Sequence, residues 1–275
     1  MSATDPVTAA NAAVEETRRS TARSVLEVDN ASVAYRGVKA VSNVTLTARQ
    51  GEVLGVIGPN GAGKTTLINF VAGMVRGTGH VRLDASSLIS RPHERARAGL
   101  GRTFQTPQLF RSLTVAESLR LAARRGAIGN GSARGRRAAG AETADIGDAL
   151  EAVDLTHRRN SYIGSLPAGE QKLLELAQAF AMRPRALIVD EPAAGVRRQD
   201  RDRIVEALRT YVVDHDATCL LVEHDMDLIR RATDWLYVMV DGRILLEGTW
   251  NKIREHPEVR KAYLGVQSHE PQDTE

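Results

Sequence analysis

The sequence predicts an α/β fold on a largely parallel core sheet, and three short apolar runs carry that reading. Val53-Leu54-Gly55-Val56-Ile57 is nearly all apolar, as expected of a strand buried on both faces, and it opens directly into a glycine-rich loop. Ala186-Leu187-Ile188-Val189 delivers the paired acids Asp190-Glu191, and Thr218-Cys219-Leu220-Leu221-Val222 delivers Glu223-His224-Asp225. Helical patterns lie between the runs, and strands alternating with helices imply parallel pairing.

The remaining elements follow in order. Residues 1–24 are rich in Ala, Thr and Ser and read as a mobile tail. No apolar stretch follows Arg18-Arg19, so this segment does not read as a signal peptide. β-prone runs occupy 26–35 and 44–47, and a helix is expected over about 64–74. Helical stretches at 115–125 and 143–153 flank 126–140, a Gly/Ala/Arg-rich piece that reads as a flexible surface loop. After Pro167, the spacing of Leu173, Leu176, Ala177 and Phe180 marks one buried helix face, which Pro184 ends. A charged helix follows Asp190-Glu191, and 266–275 reads as a second tail.

Composition bounds the possibilities. With 275 residues and 42% hydrophobic content, the chain can bury a core as one large domain or as a domain with a smaller lobe, which excludes a disordered polymer. A net charge of +3 does not announce a nucleic-acid binder. The single cysteine, Cys219, rules out an intramolecular disulfide and sits in an apolar run, where a thiol behaves as a small buried hydrophobe. No uninterrupted apolar stretch approaches the roughly 20 residues needed to cross a bilayer.

Gly58-Pro59-Asn60-Gly61-Ala62-Gly63-Lys64-Thr65-Thr66 has the P-loop pattern in the P-loop context, a buried strand before it and a helix after it. Glycines let backbone N–H groups turn inward around phosphate oxygens, and the helix N-terminus favours negative charge. Lys64 should reach the β- and γ-phosphates of a nucleotide, and the Thr65 hydroxyl should ligate Mg2+. Asp190-Glu191 ends a strand that faces the same crevice, so Asp190 is assigned to the metal and Glu191 to general base.

With these residues in place, the chain resembles an ABC-type ATPase subunit from Val25 to about Gly265. The resemblance implies a P-loop NTPase fold with a mainly parallel core sheet, an antiparallel β subdomain and a helical subdomain at about 106–175, with ATP and Mg2+ as cofactors. It also implies that Tyr35 stacks on adenine, that Gln105 contacts Mg2+ and senses a transmembrane partner, and that His224 grips the γ-phosphate. The family's signature falls on Leu166-Pro167-Ala168-Gly169-Glu170. There Pro167 replaces a serine that donates a hydroxyl and an N–H to the γ-phosphate bound by an opposing subunit, and Glu170 adds negative charge. A second departure, Val196-Arg197-Arg198, lies where the dimer interface is expected.

Gly101-Arg102-Thr103-Phe104-Gln105, Leu109-Phe110 with Leu113-Thr114-Val115, Asp190-Glu191-Pro192-Ala193-Ala194-Gly195, Glu223-His224-Asp225-Met226 and Ala262-Tyr263-Leu264-Gly265 are similar to the branched-chain or hydrophobic amino acid importer branch. That branch implies transmembrane permease subunits and, indirectly, a solute-binding protein, on the cytoplasmic face of the plasma membrane. The second ATPase subunit is expected to be a different chain with an intact signature, and no nucleic-acid partner is expected. Three alternatives stay open: the ATPase of a lipopolysaccharide-type exporter, which shares the Tyr-Leu-Gly ending; a soluble ABC ATPase acting on ribosomes or DNA; and a non-hydrolysing regulatory partner, suggested by Pro167.

Overall fold

The computed structural model describes residues 19, 21–88, 91–104, 108–129 and 139–263. In chain order the strands and helices are β1 (Ser24–Tyr35), β2 (Val38–Arg49), β3 (Val53–Ile57), α1 (Lys64–Val71), β4 (Thr78–Leu83), β5 (Ser86–Ser87), α2 (Pro92–Arg97), β6 (Leu100–Arg102), α3 (Val115–Gly129), α4 (Ala139–Ala152), α5 (Ala168–Ala181), β7 (Ala186–Asp190), α6 (Arg198–Asp214), β8 (Thr218–Val222), α7 (Met226–Ala232), β9 (Trp235–Val240), β10 (Arg243–Gly248), α8 (Trp250–Ile253) and α9 (Pro257–Tyr263).

Burial sorts the strands into two sheets. β1 alternates, with Leu26, Val28, Ala31 and Val33 buried, and belongs to a four-stranded antiparallel sheet of order β2-β1-β4-β5. β3, β7 and β8 are buried at every position and lie inside a six-stranded sheet of order β10-β9-β3-β8-β7-β6. That sheet is parallel except for β10, as continuous apolar strands covered on both faces require. Its two faces feed two separate cores. Val53, Ile57, Leu187, Val189 and Leu221 pack with α3 to α7, whereas Leu54, Val56, Ile188, Leu220 and Val222 pack with α1 and the antiparallel sheet.

Parallel register brings the functional ends of the strands to one edge. Asp190 at the end of β7 pairs with Val222 at the end of β8, and Val222 with Val56 one residue before the end of β3. The loops that begin at Gly58, Glu191 and Glu223 therefore leave the sheet side by side, in the crevice where α/β sheets bind ligands.

Local chemistry sets the helix limits. α1 stops at Val71, short of the expected 74, because Ala72 caps it and Gly73 turns left-handed at φ 75°. α3 starts with a reciprocal cap: the Thr114 N–H donates to Glu117 Oε2 at 2.8 Å and the Glu117 N–H to Thr114 Oγ1 at 3.3 Å. The helices α3 and α4 also run into both ends of the expected loop 126–140, through Gly129 and from Ala139. Residues 130–138, like 1–18, 266–275, Gln105 and Leu264-Gly265, lie outside the described residues. Among the described residues no helix is long and apolar enough to cross a membrane.

The expected tail 1–24 overlaps a packed segment. The Arg19 guanidinium lies 4.2 Å over the Trp235 ring and its Nε is 2.9 Å from Glu52 Oε1. Burial pushes the Glu52 carboxyl from 4.5 up to about 7, although Arg19 and the Arg49 N–H oppose it. Between those values the folded chain holds a proton that the unfolded chain has released. Stability therefore falls as pH rises through this window, by up to ~3 kcal/mol. Thermal unfolding at about pH 5 and about pH 8 checks this: the wild type loses stability at the higher pH and Glu52→Gln flattens the difference. A wild-type midpoint that does not change with pH contradicts it.

Candidate functional site

The phosphate loop is shaped by what cannot fit into it. A Cβ on Gly58 would lie 2.2 Å from the Met239 carbonyl oxygen, and one on Gly63, at φ 97°, 2.3 Å from that of Ala40. Both positions exclude any side chain, so the backbone closes tightly against β9 and β2. Gly63 also caps α1 without a side-chain acceptor, which leaves the first N–H groups of the helix free for an anion. Lys64 is 9% exposed, and its Nζ donates to the carbonyls of Gly58 at 2.7 Å and Pro59 at 3.1 Å. Burial holds this ammonium below its usual range, against the opposing pull of the Glu191 and Asp190 carboxylates. Pro59, Asn60, Gly61 and Thr65 are exposed along the loop, with Thr66 half-buried and Ala62 buried.

Beside the loop stand the acids. Asp190 is buried, which raises its carboxyl above the usual range; Arg102 opposes the shift and Glu191 adds to it. Arg102, at the end of β6, places Nη2 3.4 Å from Asp190 Oδ2 and donates through Nη1 to Asn69 Oδ1 at 2.7 Å. Glu191 turns left-handed at φ 48°, a conformation that costs a non-glycine residue roughly 1–2 kcal/mol. Its N–H is held by the Val222 carbonyl at 2.9 Å, which ties the β7 end to the β8 end. His224 Nδ1 stands 3.9 Å from Glu191 Oε1, and the exposed imidazole faces solvent. The structure thus gathers Gly58 to Thr66, Asp190, Glu191 and His224 at one sheet edge.

The other expected residues divide. Tyr35 ends β1 in the β1–β2 hairpin, 48% exposed, and the same hairpin carries Ala40 against Gly63. An accessible aromatic face beside the loop suits stacking. Gln105 lies outside the described residues. Leu166 and Pro167 lead into α5, which Ala168 begins, with Leu166 buried and Pro167 and Ala168 exposed. A Cβ on Gly169 would lie 2.4 Å from Asp200 Oδ2 on α6. The negative charge expected of Glu170 is compensated: Arg158 Nε lies 2.8 Å from its Oε2 and Arg158 Nη2 donates to its Oε1 at 3.1 Å. Neither Arg158 nor the Asp190 contact of Arg102 has a sequence signal, because each partner is chosen by the fold.

The donor set fits a nucleotide phosphate with its cation. A buried lysine, uncommitted N–H groups at a helix start and a glycine cradle bind polyphosphate. Thr65 and Asp190 carry hard oxygens of the kind that would suit Mg2+. Among the described residues no three of His, Cys, Asp and Glu form a metal cage.

Known proteins resemble this chain over most of its length. The family described as ABC transporter matches residues 41–194. The high-affinity branched-chain amino acid transport ATP-binding protein BraF of Pseudomonas aeruginosa is 38% identical over 254 residues, covering 88% of this chain and 98% of BraF. Its counterpart LivG of Escherichia coli is 36% identical over 250 residues, covering 88% and 98%. Among solved structures, the ADP conformation of MJ1267, an ATP-binding cassette of an ABC transporter, superposes with a TM-score of 0.73 at 28% identity, covering 88% of this chain and 99% of that one. The chain therefore belongs to the ABC transporter family, as an ATP-binding and ATP-hydrolysing subunit.

Proposed function

We propose that this chain powers the import of branched-chain or other hydrophobic amino acids through separate permease subunits, bound to them at the cytoplasmic face of the plasma membrane. The observation that carries the reading is the near full-length likeness to BraF, a high-affinity branched-chain amino acid transport ATP-binding protein. The same likeness favours import over the exporter and soluble alternatives. Solute passes through the permease and does not touch this chain.

The site residues suit in-line hydrolysis. Tyr35 stacks on adenine, while Lys64 and the amides of the phosphate loop hold the β- and γ-phosphates. Glu191 takes a proton from the water that attacks the γ-phosphorus, the bond to the β–γ bridging oxygen breaks, and ADP leaves with that electron pair. His224 holds a γ-phosphoryl oxygen during transfer. Thr65, Asp190 and Gln105 would hold Mg2+, which would supply positive charge to offset that of the phosphates.

Pro167 supports a heterodimer. It offers neither N–H nor hydroxyl at the start of α5, so a nucleotide on the partner receives a weaker closing half from this chain. A different partner with an intact signature leaves the site around Lys64 and Glu191 as the active one. Purification in mild detergent from native membranes tests the whole reading. Permease subunits, a second ATPase chain and stimulation by a binding protein loaded with a branched-chain amino acid are expected. Recovery with ribosomes and no membrane protein overturns it.

A further inference from the structure

We propose that Glu223 is a positioning residue that makes the segment after Glu191 and the His224 loop move as one body. Its side chain is wholly buried. One oxygen, Oε1, accepts the Ala193 N–H at 2.8 Å; the other, Oε2, accepts the N–H groups of His224 at 2.8 Å and Asp225 at 3.2 Å. A single carboxylate therefore joins two loops that leave neighbouring strands. A second strut runs parallel to it: Arg201 on α6 pairs with Asp225, the N-cap of α7, and donates through Nε to the Val196 carbonyl at 3.0 Å.

The geometry uses both side-chain oxygens as acceptors. Both oxygens of a carboxylate accept, whereas an amide of the same shape offers one acceptor and one donor group. In Glu223→Gln the oxygen turns to the two N–H groups of His224 and Asp225, and the amide nitrogen confronts the Ala193 N–H. The wholly buried side chain has no exposed surface through which solvent could repair the mismatch, so that side of the tie opens. Residues 193–196 then lose their register with His224, although Lys64 and the phosphate loop are untouched. This inference rests on the reading of His224 and Glu191 as hydrolytic residues. It adds that their alignment is set by a third acid which never meets the nucleotide.

Amide hydrogen exchange and steady-state kinetics on the intact transporter test it. In the unmodified protein the Ala193 amide is expected to exchange roughly a hundredfold more slowly than in an unstructured peptide; a rate near the unstructured one overturns the proposal by itself. In Glu223→Gln the peptide spanning 191–197 gains exchange while the peptide covering α1 does not. Turnover number falls roughly tenfold or more, with nucleotide affinity within about twofold of the wild type. Unchanged exchange at 191–197, or a loss confined to nucleotide affinity, sinks it. If the unmodified transporter shows no ATP turnover at all, the hydrolytic reading fails, and the exchange pattern still decides whether Glu223 makes the tie.

Discussion

Replacing Glu191 with glutamine is expected to lower ATP turnover by ~10²–10⁴-fold while leaving nucleotide affinity almost unchanged. The side chain is three-quarters buried and stands 3.9 Å from His224 Nδ1, on a backbone forced left-handed. A glutamine fills that space but cannot take a proton from water. Nucleotide binding depends instead on Lys64 and the loop amides, so affinity and turnover should separate. The experiment also decides the asymmetry that Pro167 suggests. If the active site is the one carrying Lys64 and Glu191, the equivalent change in the partner ATPase costs far less. Equal losses from the two changes, measured as ATPase rate in the assembled transporter, rule out the asymmetric heterodimer.

Lys64→Ala is expected to weaken nucleotide binding by ~10²–10⁴-fold, because charge-assisted hydrogen bonds to two phosphates contribute about 1.5–3 kcal/mol each. Hydrolysis disappears with binding. The lysine already sits inside the loop, with its Nζ on the carbonyls of Gly58 and Pro59, so only a short movement of the ammonium separates the two sets of acceptors. Removing it also takes away one of the positive charges that act on Glu191 and Asp190, although Arg102 still pairs with Asp190, and this adds repulsion toward an incoming polyphosphate. Titration with a fluorescent ATP analogue reads the affinity, and phosphate release reads the turnover. Loss of a measurable wild-type turnover in this variant excludes a purely regulatory, non-hydrolysing role. Near-normal hydrolysis in the variant contradicts the assignment of the site.

Much of the hydrolytic site is legible in the sequence because its residues come in short runs beside strands of one unbroken pattern. Gly58 to Thr66 follows β3, Asp190-Glu191 follows β7, and His224 follows β8. The sequence reading names no strand at 78–83, 235–240 or 243–248. The first and last of these are half-exposed and lack a clean apolar run, while the middle one, although wholly apolar up to Val240, begins directly after a helix without a glycine or proline to mark it.

What the sequence by itself determined is the α/β class, the phosphate loop, the acids beside it and the single buried thiol, since each depends on neighbours within a few residues. Only the tertiary structure decided the partners of the charged side chains. Arg102 meets Asp190 across 88 positions, Glu223 meets the Ala193 N–H across 30, and the Val53 N–H meets Asp234 across 181. Such pairs are set by strand order and register, which periodicity does not encode. Once buried, a charge or an N–H must find a partner wherever the fold has brought one.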